Sequence, residues 1–290
     1  MALENFNRII NLTFYRKVGM PVVIKCPTKG RKPSIEITGN FTTKSYLPAF
    51  NLTIKNLYLD LKGEQYTKLR VEAGYYGNTI TFEGSILTMY QEEPGPEGKT
   101  IIQCMTGQMQ TWLDAIVHMT YEKGTPLTTL LADIGKKIST YGILSGKKAA
   151  TLSMPERFEF DGSARDAIQK IEKIFTDKHL SIFVRDNRLC AVCLTQDDTV
   201  QVHTLQYMSA PPQENTGDEN GTYYTTVTAP WIPKLAVGDK LRIPSRVYMR
   251  NFLSVGNAKG TQIIQVTAIS FHFGTTGGTN SMTVQGFLVG

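Results

Sequence analysis

The sequence predicts a mainly β protein with an α+β insertion, in which two small antiparallel β-barrel domains flank an α+β module. Three observations lead there. Short bursts of alternating apolar and polar residues, bounded by Gly, Pro or Asn, fill residues 1–107 and return after residue 222. Between them lie two stretches of helical period with recognisable start signals. A composition of 41% hydrophobic and 19% charged residues, with 25 Gly, 13 Tyr and 13 Phe, suits short strands and turns around a sizeable core.

In the first segment, residues 1–107, the bursts run Pro21 to Cys26, Ser34 to Phe41, Phe50 to Leu57, Lys68 to Gly74, Thr79 to Tyr90 and Lys99 to Met105. A sheet of this size must hide its edges, so a closed or nearly closed barrel is expected. The clearest feature is the strand-turn-strand from Leu69 through Ala73-Gly74-Tyr75 to Phe82-Glu83-Gly84. There Gly74 lets the strand bend closely against a neighbour, and Tyr75 anchors the turn.

Residues 108–208 change period. Thr125-Pro126 reads as an N-cap followed by proline at the first helical position. Leu127, Leu130, Leu131, Ile134 and Ile138 share one face, and Gly142 supplies the left-handed end. A second helix starts at Ser163, where Asp166 completes a capping box, and buries Ala164, Ala167, Ile168, Ile171, Ile174 and Phe175. From Leu180 to Leu194 two strand-like runs flank the turn Asp186-Asn187, setting Leu180, Ile182 and Val184 against Leu189, Ala191 and Cys193. The helix is expected to cover that apolar side. In the last segment, residues 209–290, the polar stretch 209–222 reads as a mobile loop. Strands are expected at Tyr223 to Ala229, Lys240 to Ile243, Gln262 to Phe273 and Ser281 to Leu288.

The chain shows no carrier of catalysis. Cys190 and Cys193 have the spacing of a metal or redox pair. Three residues apart on a strand, however, they point to opposite faces roughly 10 Å apart, too far to share a zinc about 2.3 Å from each sulfur. With Cys26 and Cys104 they read as reduced, mostly buried thiols. His118, His179, His203 and His272 stand apart from any Cys, His or carboxylate cluster, and no Gly-x-Ser-x-Gly, His-Glu-x-x-His or Walker loop occurs. Asp197-Asp198 and Glu92-Glu93 are adjacent carboxylates of the kind that sit in solvated loops. No catalytic residue, cofactor or metal is therefore expected.

No apolar run reaches the roughly 18 residues a membrane span needs, and Met1-Ala2-Leu3-Glu4-Asn5 lacks the basic and apolar regions of a signal peptide. Residence in cytoplasm and no membrane partner are expected. The net charge of +6 raises nucleic acid as a partner. Lys25, Lys29, Arg31 and Lys32, around Pro27 and Gly30, suit either phosphate contact or docking on another protein, and no aromatics interleave for base stacking.

Four successive stretches carry a resemblance: Ile35-Glu36-Ile37-Thr38-Gly39-Asn40-Phe41, Phe50-Asn51-Leu52-Thr53-Ile54-Lys55-Asn56-Leu57, Leu69-Arg70-Val71-Glu72-Ala73-Gly74-Tyr75 and Ile80-Thr81-Phe82-Glu83-Gly84-Ser85-Ile86. In order and spacing they resemble the N-terminal domain of baseplate hub proteins of contractile-tailed bacteriophages. The helix-and-hairpin module and the run from Trp231 to Leu241 are similar to that family's later domains. The resemblance implies two tail-tube-like β domains per chain and a homotrimer forming a pseudo-sixfold ring around a channel. It implies as partners a tail tube protein hexamer on one side and a central spike protein on the other, with tape measure and baseplate wedge proteins nearby. DNA would be transient cargo, and the chain would reside in the virion tail baseplate after assembly in host cytoplasm. No fused lysozyme or peptidase is seen, so cell-wall cleavage is not implied.

Contacts are expected from the Lys25 to Lys32 loop, the Tyr46 to Phe50 region and the Gln91 to Lys99 loop, stiffened by Pro94 and Pro96. Gly74, Tyr75, Phe82 and Gly84 serve the scaffold. One alternative is a β-barrel nucleic-acid or polysaccharide binding protein, favoured if DNA or glycan is retained at physiological salt. Another is a hydrolase assembled from distant residues, such as Asp161 or Glu159 with a histidine, favoured by convergent carboxylates in a pocket.

Overall fold

The computed structural model describes residues 8–26, 34–43, 49–55, 66–75, 78–92, 98–106, 115–185, 188–194, 198, 200–205, 207–208, 213–215, 224–230, 232, 234–243, 248–249, 262–275 and 280–289. Seven strands come first: β1 (Arg8–Arg16), β2 (Val22–Cys26), β3 (Ser34–Thr42), β4 (Ala49–Lys55), β5 (Tyr66–Tyr75), β6 (Asn78–Glu92) and β7 (Lys99–Thr106). Six coincide with the expected bursts. β1 is the addition, although its alternation is plain: Ile10, Leu12 and Phe14 are fully buried. It pairs antiparallel with β2 on one side and β5 on the other.

β5 and β6 form the expected hairpin, with Tyr75 opposite Asn78 and Leu69 opposite Gly84. Gly84 answers a steric need, because a Cβ there would lie 2.8 Å from the Phe50 ring and 2.9 Å from the Met105 carbonyl oxygen. Gly84→Ala is expected to destabilise the protein by about 1–3 kcal/mol through overpacking. The check is a lower urea midpoint with the slope unchanged. Tyr75 reaches beyond its own turn: its ring meets Phe273, near the far end of the chain, edge-on at 5.6 Å. Burial there pushes the Tyr75 hydroxyl's pKa up against smaller opposing effects of Asn280 and Arg8.

The middle of the chain contains β8 (Ile116–Tyr121), α1 (Leu127–Lys137), β9 (Ile143–Ser145), β10 (Phe158–Ser163), α2 (Ala164–Ile174), β11 (Leu180–Arg185) and β12 (Arg188–Cys193). α1 buries the expected leucine and isoleucine stripe, but its ends differ from expectation. Pro126 occupies the cap position, and the Thr125 hydroxyl donates backward to the Glu122 carbonyl at 2.7 Å. The left-handed residue after the helix is Ser139, at φ 57°, three residues before Gly142. α2 starts as expected, with the Ser163 hydroxyl accepting from the Asp166 backbone N–H at 3.1 Å.

β8 and β10 form a two-stranded ribbon, while β11, β12 and β9 form a three-stranded sheet in which β9 runs parallel to β12. The β11–β12 register sets Leu180, Ile182 and Val184 against Cys193, Ala191 and Leu189, as expected; Asp186 and Asn187 lie outside the described residues. That side packs into the helical core. The other side, Phe183, Cys190 and Val192, enters a second core belonging to the large sheet. Cys190 and Cys193 thus sit in different cores, as period-2 geometry requires.

The last strands are β13 (Val202–Thr204), β14 (Tyr207–Met208), β15 (Gln213–Asn215), β16 (Tyr224–Pro230), β17 (Lys240–Ile243), β18 (Tyr248–Met249), β19 (Gln262–Gly274) and β20 (Ser281–Leu288). β15 corrects the expected loop at 209–222, because three of its residues pair antiparallel with β16. β19 decides the architecture. One edge pairs with β20; the other pairs with β17 over residues 262–265 and with β3 over residues 268–274. The first and last segments therefore share one sheet of 13 strands, with a main path from β15 to β2. The mainly β class with an α+β insertion holds, but among the described strands no barrel closes. β3 is covered by a strand from the far end of the chain instead of by closure. No helix among the described residues is long and apolar enough to cross a membrane.

Candidate assembly surfaces and the joints beneath them

The residues proposed from sequence as contacts are not gathered at one place. Lys25 is exposed on β2, at one end of the large sheet. Phe50 is 1% exposed, so the expectation that it offers a surface contact is corrected: it meets Phe82 edge-on at 4.9 Å inside the core. The alternation of β4, with Phe50, Leu52 and Ile54 all inward, dictates this. Lys29, Arg31, Lys32, Tyr46, Pro94 and Pro96 lie outside the described residues. Of the scaffold positions, Gly84 and Phe82 meet at the Phe50 ring, which Gly84 admits and Phe82 meets edge-on, while Tyr75 packs on Phe273.

The β8–β10 ribbon carries the open depression of about 530 Å³, lined by His118, Met119, Thr120, Glu159, Phe160 and Asp161. Its chemistry follows from register. Asp161 lies directly opposite His118, and their side chains meet at 2.8 Å; Glu159 lies opposite Thr120 and meets Arg157 at 2.5 Å. The contact corrects the reading of His118 as standing apart from any carboxylate, and it is one instance of the distant pairing, Asp161 with a histidine, that the hydrolase alternative names. His118 and Asp161 are 73% and 78% exposed, so water screens the contact and its worth is small. Glu159 is exposed as well, so both carboxylates of the depression face solvent.

Two buried carboxylates join the α+β insertion to the last strands. Asp239, fully buried, takes both Nη groups of Arg185 in a fork at 2.6 and 3.1 Å. It also meets His203 Nε2 at 3.1 Å and accepts the Ala236 N–H at 3.1 Å. One side chain thereby ties β11, β13 and the turn before β17. Beside it Gly238 adopts φ 84°, and a Cβ there would press 2.8 Å from the Phe183 ring. The hairpin and the turn are fitted to each other.

Asp198 corrects the reading of Asp197-Asp198 as a solvated pair. It is 1% exposed, and its carboxylate accepts the N–H groups of Lys148 at 2.9 Å, Ala149 at 3.0 Å and Cys193 at 3.1 Å. Its own carbonyl accepts from the Gln265 side chain on β19. Most of their partners, Arg185, His203, Lys148 and Ala149, lie 36 to 54 residues away in sequence, and only Ala236 and Cys193 are close by.

All four cysteines are buried and unbridged. Burial pushes the Cys104 thiol up to about 12; burial, then the Asp198 charge, pushes Cys193 up to about 11. Thiolate is the reactive form, so Ellman's reagent at about pH 8 should find almost no thiol in the native chain and all four after denaturation.

No protein-family profile matches the sequence, and no characterised protein matches it by sequence. Solved structures do match the fold. The 43 kDa tail protein of prophage MuSo2 from Shewanella oneidensis superposes with a TM-score of 0.60 at 7% identity, over 97% of this chain and 96% of that one. The tail protein from Neisseria meningitidis MC58 gives 0.59 at 8% identity, again over 97% and 96%. The Escherichia coli c3393 protein gives 0.58 at 9% identity, over 90% and 76%. It is described as a component of the type VI secretion system with structural similarity to the T4 bacteriophage tail proteins gp27 and gp5. The chain has the fold of these tail proteins.

Proposed function

We propose that the chain is a structural baseplate hub subunit of a phage-type tail that turns over no substrate. Three copies form a pseudo-sixfold ring joining a hexameric tail tube to a central spike, with a channel for DNA and with tape measure and wedge proteins as neighbours. Its place is the virion baseplate, assembled in host cytoplasm. The observation that carries the reading is a fold shared with two tail proteins over nearly their whole length, built around two β segments joined through β3 and β19. A threefold spike and a sixfold tube are matched only if each chain offers two comparable surfaces, and a chain with β segments at both ends supplies the means. The buried carboxylate joints suit this role, since an adaptor between two symmetries must hold its parts in register.

The test is the mass of the purified chain by light scattering and the shape of its particles by electron microscopy, alone and with the tube protein. Rings of three copies that cap the tube are expected. A stable monomer that also fails to bind the tube overturns the proposal. Retention of duplex DNA or polysaccharide at physiological salt by that monomer would favour the binding-protein alternative.

A further inference from the structure

The β1–β2 hairpin ends in a tip that carries cations and exposed apolar groups but no acid. Register pairs the two strands as far as Phe14 opposite Val22, and the chain from Lys17 to Pro21 turns beyond that pair, with Gly19 at φ 101°. Val18 and Met20 in this turn are 86% and 84% exposed, the highest values among the large apolar residues described. At the base of the tip the Arg16 guanidinium stands 5.5 Å over the Tyr66 ring, and Lys17 beside it is exposed. The sequence extends this charge, since residues 5–35 contain seven Lys or Arg and no Asp or Glu.

Apolar groups gathered on one protrusion mark an interaction site, and the cations around them ask for carboxylates. Nucleic acid would answer the charge but leave Val18 and Met20 without an apolar contact. The same chain presents the complement on its β8–β10 ribbon. Ile116, His118 and Thr120 lie directly opposite Ser163, Asp161 and Glu159, so alternation sets all six on one face. Ile116 is 52% exposed. Along this face and its end three carboxylates share one guanidinium: Arg157 meets Glu159 at 2.5 Å and Glu122 at 3.9 Å, while Asp161 faces the His118 ring. Lys123 and Glu156 in the adjoining turns offset each other in sign. Lys170 is turned to the inner side, where it donates to the Glu159 carbonyl at 2.7 Å and stands over the Phe158 and Phe160 rings. The face is therefore acidic, and its open depression of about 530 Å³ can receive a protrusion.

We propose that the hairpin tip of one copy seats in the ribbon depression of the next copy. Val18 and Met20 pack against Ile116 and the floor of the depression, and Arg16 and Lys17 face Asp161 and Glu159. Tip and depression belong to different parts of the chain, so the contact is heterologous, and repeated head to tail it closes into a ring where each step is a third of a turn. The proposal rests on the hub reading above and names the surfaces through which its copies join.

Because the native thiols are buried, Met20→Cys and Thr120→Cys place one reactive thiol each on the tip and on the ribbon. In rings of the double variant a short bis-maleimide should give a covalent trimer on a denaturing gel. Rings mixed from the two single variants should give a dimer, and either single variant alone should give monomer. In parallel, Lys17→Glu or Asp161→Lys should raise the concentration needed for ring assembly about tenfold, and the two together should restore it, with urea midpoints unchanged because both sites are exposed. Rings of the double variant that give no covalent trimer, or cross-linking between Met20→Cys copies alone, overturn this contact and leave the hub reading standing. Charge reversals that do not weaken assembly, or that the pair does not rescue, have the same consequence. A chain that forms no ring, alone or with the tube protein, overturns this proposal and the hub reading together.

Discussion

Asp239→Ala is expected to lower the stability of the protein by about 3–5 kcal/mol, among the largest effects of any single substitution in the chain. The physical reason is the orphaned partner. Arg185 is 8% exposed, and its guanidinium is held in a fork by the two carboxylate oxygens. Removing the carboxylate leaves a cation in the interior, a loss that exceeds the modest net worth of the intact pair. His203 and the Ala236 N–H lose their acceptor in the same step. Urea unfolding of the single variant, of Arg185→Met and of the double variant checks this. The double variant should recover much of the loss, since removing both charges removes the orphan. A single variant within about 1 kcal/mol of wild type would show that water reaches the site and that the joint is not dry.

Asp198→Ala follows with an expected loss of about 3 kcal/mol or more. It strips the acceptor from three backbone N–H groups, of which those of Ala149 and Cys193 are buried and cost about 1–3 kcal/mol each when left without an acceptor. The effect should be local as well as global. Hydrogen exchange should quicken at Lys148 and Ala149, and Cys193 should become more reactive, because one of the two leading influences that raise its pKa is gone. Asp198→Asn keeps one acceptor oxygen and should fall between. Unchanged exchange at Lys148 and Ala149 in the alanine variant would mean that the turn is held by other contacts.

These two residues also mark where sequence reasoning stops. A capping box such as Ser163 with Asp166 is legible because donor and acceptor lie three residues apart. The Asp239 fork is the same kind of contact, but its arginine lies 54 residues away, and nothing near Asp239 announces it. Adjacent carboxylates at Asp197-Asp198 carry the composition of a solvated loop, and only the fold shows that the second one turns inward. In the hairpin, helical cover over Leu180, Ile182 and Val184 was legible. The near-continuous apolar run Leu189 to Leu194 also carried the sign of burial on both faces, which the structure realises through Phe183, Cys190 and Val192.

By itself the sequence determined the class of the protein, strands β2 to β7, β11, β12, β16, β17, β19 and β20, both helices, the hairpin register and the separation of Cys190 from Cys193; β1, β8 to β10, β13 to β15 and β18 were not read from it. What it determined rests on periodicity or on contacts a few residues long, which a strand or helix enforces wherever it is placed. Only the tertiary structure decided that β19 divides one edge between β17 and β3 and that the two expected barrels become one sheet that does not close among the described strands. Alternation says that a strand has an apolar side. Which strand lies beside it, and what lies over that side, depends on backbone hydrogen bonds and packing between residues as far apart as Asn40 and Ser270, whose partners no local pattern names.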